Sequence, residues 1–131
     1  MATRRALHYV LKIGDRDASI KFYRDLLGMT PLRHEEFDGM CEATCNGPYD
    51  NKWSKTMIGY GPEDNNFVLE LTYNYTVGSY KVGNDLVGLT LSLPQATYDA
   101  VKATDPDNNG YVTAPDGYKF FYQLGNQGTY C

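Results

Sequence analysis

One order of elements runs through the apolar pattern of this chain twice, and that repeat limits its fold more than any other feature. Residues 6–13 (ALHYVLKI) alternate Leu7, Tyr9, Leu11 and Ile13 with Ala6, His8, Val10 and Lys12, the period of a strand with one buried face. Over residues 16–27 the period becomes helical. Ile20, Tyr23 and Leu27 recur at steps of three and four, as do Phe22 and Leu26. Asp15 or Asp17 can cap the start, and Gly28 stands where a helix ends in left-handed geometry. Strands are expected over 30–37, 53–60 and 67–73, with a long loop over 38–52 and a turn at 61–66. After a connection over 76–86 the order begins again. A strand over 87–93 leads to a helix from Gln95 to Thr104, a turn at 105–110, and strands over 111–113 and 118–124. The second pass is one strand short. The repeat predicts an α+β fold of two modules, about 6–75 and 87–124, within a single domain spanning 1–131. Each half alone is too small to bury an adequate core, so the two should share one.

Composition narrows the function classes. Sixteen acidic against 12 basic side chains leave a net charge of −4, which argues against a nucleic-acid binder. No apolar run approaches the roughly 18 residues of a membrane span. The first ten residues lack the apolar stretch of a secretory signal. Cys41, Cys45 and Cys131 are an odd number and make no disulfide framework, so a reducing, cytoplasmic setting is expected, with mitochondrial association left open. Cys41 and Cys45 have no second Cys or His pair for structural zinc and no base nearby in sequence. His34, beside Glu35 and Glu36, reads as a solvated strand-end residue.

Alternation separates the faces of the strands. His8 and Lys12 share a face opposite Leu7, Tyr9, Leu11 and Ile13. Glu70, Thr72 and Asn74 oppose Leu69, Leu71 and Tyr73, and Gly88, Thr90 and Ser92 oppose Val87, Leu89, Leu91 and Leu93. The apolar faces are expected to carry the helices, and the polar faces to line a concave surface of the kind that holds small ligands. His8 and Glu70 offer an imidazole nitrogen and a carboxylate oxygen, common ligands of a divalent metal. Spacing alone also allows the plainer arrangement, in which Glu70 pairs with Lys12 or His8 and the face sees only water.

The segments LHYVLKIGD (7–15), IKFYRDLLGM (20–29), GYGPED (59–64), LELTYNYTVGSYKVGN (69–84) and APDGYKF (114–120) together resemble glyoxalase I of the vicinal oxygen chelate superfamily. The resemblance covers about residues 6 to 123. The run HEEFDGMCEATCNGPYDNKWSKTM (34–57) is closer to a eukaryotic branch carrying two such domains in tandem, and the chain resembles the first of them. The resemblance implies paired βαβββ modules curled into an open cup with the helices outside. It also implies one divalent metal and conversion of the glutathione–methylglyoxal hemithioacetal to lactoylglutathione. In that reaction a glutamate base moves a proton while the metal stabilises the enediolate oxygens.

The family's site residues carry over by halves. The first-strand ligand falls on His8 and the fourth-strand glutamate on Glu70, which could also stand in as the catalytic base. Asn74 matches an asparagine that contacts glutathione. Lys12 replaces an arginine near the glutathione carboxylate, keeping the charge and losing the fork. The second-module histidine aligns to Gly88 and the second-module glutamate, both ligand and base, to Phe121. Neither can coordinate a metal, and a symmetric dimer supplies no replacement, since both copies carry them. The expected cofactor is therefore one divalent ion (zinc, nickel or manganese), weakly bound or absent. The expected ligand is a small thiol conjugate or carbonyl compound such as a glutathione conjugate, with weak or no glyoxalase I activity. Two other functions remain open: an active metal-dependent lyase or isomerase using His8 and Glu70, and a non-catalytic interaction domain. A homodimer, or pairing with a second domain of the same kind, is expected to cover apolar surface near 118–124.

Overall fold

A computed structural model describes residues 4–39, 46–49 and 51–125. Strand β1 (His8–Ile13) leads into helix α1 (Arg16–Ile20), which continues as a π-helical segment, Lys21–Leu26. Strands β2 (Thr30–Asp38), β3 (Lys52–Gly59) and β4 (Val68–Asn74) complete the first module, with a short 3₁₀ turn at Gly47–Tyr49 between β2 and β3. The second module is β5 (Leu89–Leu93), α2 (Gln95–Ala103), β6 (Tyr111–Thr113) and β7 (Lys119–Leu124). Among the described residues the two modules follow the expected order, the second with one strand fewer. Cys41, Cys45 and Cys131 lie outside the described residues.

The first sheet has the order β1-β4-β3-β2, with β1 parallel to β4 and the other pairs antiparallel. The second has the order β5-β7-β6, with β5 parallel to β7 and β6 antiparallel to it. Each module thus returns its last strand beside its first, with the helix crossing between. One core serves both modules: Leu11, Ile13, Tyr23, Leu27, Leu69 and Leu71 pack in the same cluster as Leu93, Val101, Val112 and Phe120. The Tyr23 and Phe120 rings meet edge to face at 5.4 Å.

Helix α1 starts as its capping residue dictates, with Asp15 Oδ1 accepting from the Ala18 N–H at 3.0 Å. The π segment departs from the expected continuous α-helix. The Leu27 N–H reaches the Phe22 carbonyl at 3.0 Å, a five-residue step, before Gly28 (φ +77°) turns the chain. Period reading cannot resolve that widened turn, because Tyr23 and Leu27 face the core either way.

The apolar face of β1 also differs from expectation. Leu11 and Ile13 are buried, but Leu7 and Tyr9 are 55% and 41% exposed, because the shared core reaches β1 only at its C-terminal half. Among the described residues the outer edge of β1 has no strand partner. The Leu7 carbonyl accepts from the Val68 N–H, so alternation turns the Lys12 and Gly14 backbone groups to the free edge. There the Tyr118 hydroxyl donates to the Lys12 carbonyl at 2.9 Å, and the Gly14 N–H donates to Asp116 Oδ1 at 2.8 Å, stitching the modules together. A cleft of about 720 Å³ runs along this seam, walled by Tyr9–Lys12, residues 82–87 and Gly117–Lys119. Exposed Val82 and Val87 border it, whereas in β7 Phe120 is buried and Leu124 is the exposed apolar residue. Among the described residues no helix is long and apolar enough to cross a membrane.

Candidate functional site

Register places four strands' side chains on the polar face of the first sheet. Val10, Glu70, Met57 and Arg33 form one row across β1, β4, β3 and β2. Lys12, Thr72, Lys55 and Glu35 form the next, and Asn74, Trp53 and Phe37 the third. Partners in register share a face, so His8, Lys12, Glu70 and Asn74 lie on one surface as alternation predicts.

His8 and Glu70 are brought together, with Nε2 to Oε1 at 3.6 Å. Glu70 is buried and His8 partly open to solvent, and Thr72 Oγ1 donates to the second Glu70 oxygen at 3.2 Å. Arg33 lies in the same row. Its charge is held chiefly by a two-pronged bond to Glu63, both contacts at 3.0 Å, and Glu70 adds to the attraction. That bond pulls the Glu63 carboxyl below its ordinary range.

Could this pair hold a metal? One nitrogen and one oxygen at this separation match two ligands of a single ion at about 2.0–2.2 Å each. Among the described residues, no three His, Cys, Asp or Glu side chains converge. Typical catalytic sites use at least three protein ligands, so the pair alone does not fit a resident ion.

Lys12 and Asn74 are on the expected face, but not free. Asn74 is 1% exposed. Its carboxamide pairs reciprocally with that of Asn46, Asn74 Nδ2 donating to Asn46 Oδ1 at 3.1 Å and Asn46 Nδ2 donating back. Asn74 Nδ2 also donates to the Tyr80 hydroxyl at 2.7 Å. Lys12 Nζ sits 4.8 Å from the centre of the Tyr49 ring. The expected open lining is therefore covered at this end by residues 46–49 and Tyr80.

In the second module, Gly88 and Phe121 are neighbours. A Cβ built on Gly88 would stand 2.8 and 3.0 Å from two Phe121 ring carbons and 2.6 Å from the Lys119 carbonyl oxygen. The Phe121 ring also meets Tyr111 at 5.4 Å. The two positions where the resemblance implies ligands thus form an interlocked apolar contact.

Sequence reading missed Arg33, Glu35, Lys55 and Trp53 on the polar face. Strand β2 is polar on both faces, so alternation carries no sign there; only pairing to β3 orients it. His34 lies on the opposite face, with Nδ1 2.7 Å from Thr56 Oγ1 and Nε2 2.6 Å from Glu36 Oε2. Its side chain is partly open to solvent but tied, not simply solvated. Glu36 also accepts from the Tyr75 hydroxyl at 2.6 Å and from Arg16 at 3.1 Å, and these donors, Tyr75 foremost, hold its carboxyl below the usual range.

Comparison with known proteins places this geometry among relatives. Residues 5–122 match the family model described as Glyoxalase/Bleomycin resistance protein/Dioxygenase superfamily. The chain is 56% identical over 128 residues to glyoxalase domain-containing protein 4 of Rattus norvegicus, covering 94% of this chain and 43% of that protein. It is 52% identical over 122 residues to glyoxalase 1 of Caenorhabditis briggsae, covering 90% and 43%. It thus spans less than half the length of these curated relatives. Among solved structures, the trypanothione-dependent glyoxalase I of Leishmania major superposes with a TM-score of 0.73 at 34% identity, over 93% of this chain and 87% of that one.

Proposed function

The chain belongs to the glyoxalase/bleomycin resistance protein/dioxygenase superfamily, and from that premise we propose that it is a glyoxalase-like ligand-binding domain with half of a metal site. The ligand is a small thiol conjugate, such as a glutathione conjugate, and isomerase turnover is weak or nil. His8 and Glu70 are the retained half. The contact of Gly88 with Phe121 carries the reading, because the ring occupies space that a second-module ligand would need. A phenylalanine neither coordinates nor accepts a proton, and general-base catalysis is commonly worth about 10²–10⁴-fold.

Lys12 and Asn74 supply a cation and a carboxamide on the same face as His8, a pairing suited to a ligand with a carboxylate and peptide amides. A homodimer, or pairing with a second domain, has the exposed apolar rim of the β1 seam to cover. The alternative is a metal-assisted lyase, which would need substrate and water to supply the ligands that His8 and Glu70 alone do not.

Calorimetric titration with S-hexylglutathione tests the binding reading. Saturable binding that Asn74→Ala removes supports it. The absence of heat in both proteins defeats it. Metal analysis of the purified chain separates the alternative, which requires a stoichiometric ion.

A further inference from the structure

We propose that Asn46–Tyr49 and Tyr80 form a latch that occupies the chain's own ligand-reading residues, so that a ligand must displace these side chains to bind. The proposal rests on the reading that this face takes a thiol-conjugate peptide. Asn46 imitates such a ligand. Its carboxamide offers Asn74 the C=O and N–H pair that a peptide amide would offer, and takes the Asn74 oxygen and one Asn74 N–H. The Tyr80 hydroxyl takes the other N–H at 2.7 Å. Both donors and one acceptor site of Asn74 are therefore satisfied within the chain, and both asparagines are buried.

The remaining contacts tie these pieces into one unit. Asn46 Nδ2 donates also to the Tyr49 carbonyl at 2.9 Å, which fixes the side chain to the turn Gly47–Tyr49. The Tyr49 ring covers the Lys12 ammonium and meets the Tyr80 ring edge to face at 5.4 Å. A ligand carboxylate approaching Lys12 and a ligand amide approaching Asn74 thus meet the same obstacle. Exchange of Asn46 for a ligand amide swaps like for like, so the closed state lowers affinity without abolishing it. A ligand that engages Lys12 and Asn74 together opens the latch most effectively.

Gly47 offers a variant that leaves every contacting side chain intact. Its φ of +64° lies in the left-handed region, and a Cβ there meets nothing within 4 Å. Gly47→Ala therefore strains the turn through its backbone alone. The chain has a single tryptophan, Trp53, buried and paired in register with Asn74 on the same face. Its emission senses changes in packing beside Asn74.

The experiment measures S-hexylglutathione affinity and acrylamide quenching of Trp53 in the parent chain, Asn46→Ala, Gly47→Ala and Asn74→Ala. The expected result is that Asn46→Ala and Gly47→Ala bind about 3–30-fold tighter and quench more readily, while Asn74→Ala loses binding. Equal or weaker binding in both latch variants, with Asn74→Ala still losing it, overturns the latch and leaves the binding reading standing. If no variant binds the probe, the glutathione-conjugate reading fails and quenching decides alone. Greater quenching in Asn46→Ala and Gly47→Ala upholds a closed latch, and unchanged quenching overturns it.

Discussion

Substituting Gly88 by alanine probes the interlock that distinguishes the second module. The new Cβ would lie 2.6 Å from the Lys119 carbonyl oxygen and 2.8 and 3.0 Å from two Phe121 ring carbons. The ring can tilt away, since Phe121 is not fully buried. The carbonyl cannot, because Lys119 is held in β7 opposite Thr113. Overpacking of this kind costs about 1–3 kcal/mol, and a clash with one fixed and one adaptable neighbour places Gly88→Ala near 2 kcal/mol. For a domain of this size that lowers the melting temperature by about 6–10 °C, at roughly 3–5 °C per kcal/mol. Phe121→Ala loses a largely buried ring and its contact with Tyr111, about 2 kcal/mol. The two losses should not add. With the ring gone the alanine meets only the carbonyl, so the double variant should be more stable than the sum by about 1 kcal/mol. Urea unfolding of all four proteins at constant m-value measures this coupling. Additivity within about 0.3 kcal/mol, or a Gly88→Ala protein as stable as its parent, would refute the interlock.

Gly14→Ala should cost about 3 kcal/mol in the same assay, since its Cβ would stand 2.2 Å from the Gly78 carbonyl oxygen, with backbone on both sides of the clash. Asp116 gives a pH signature. Burial, the larger effect, and nearby Asp15 push its carboxyl above the ordinary range, against the pull of the Gly14 N–H. An acid raised on folding contributes stability that is fully present below its unfolded value and lost as pH rises through the folded one. Asp116→Asn keeps an acceptor for Gly14 without the charge, so at pH 7 it should equal or exceed the parent in stability. Asp116→Ala should fall about 1 kcal/mol below it. Thermal unfolding from pH 3 to 8 checks both, and a parent that gains stability over Asp116→Asn as pH rises above the ordinary carboxylate range contradicts them.

Much of the frame was legible because strands and helices announce themselves by period. Alternation puts His8 with Lys12 and Glu70 with Asn74 within their own strands, and the β1–β4 register brings the two pairs onto one face. The partners of that face in β2 and β3 were not legible, because Arg33, Glu35 and Lys55 sit in strands whose polar residues point both ways. The cover over Asn74 was hidden for a different reason. Asn46 and Asn74 are 28 residues apart, and the turn that carries Asn46 has no period to read. Leu7 and Tyr9 show the converse error. They keep the strand's alternation yet lie beyond the reach of the shared core, which no local pattern reports.

The proposal of a half-retained site is tested most directly by turnover. Purified chain is incubated with the glutathione–methylglyoxal hemithioacetal and Zn²⁺, Ni²⁺ or Mn²⁺, and lactoylglutathione is followed in parallel with Glu70→Gln. The expected rate is at or near background with every metal, and the same in the variant. Strong metal-dependent turnover that Glu70→Gln abolishes would contradict it and make His8 and Glu70 the working centre of an enzyme.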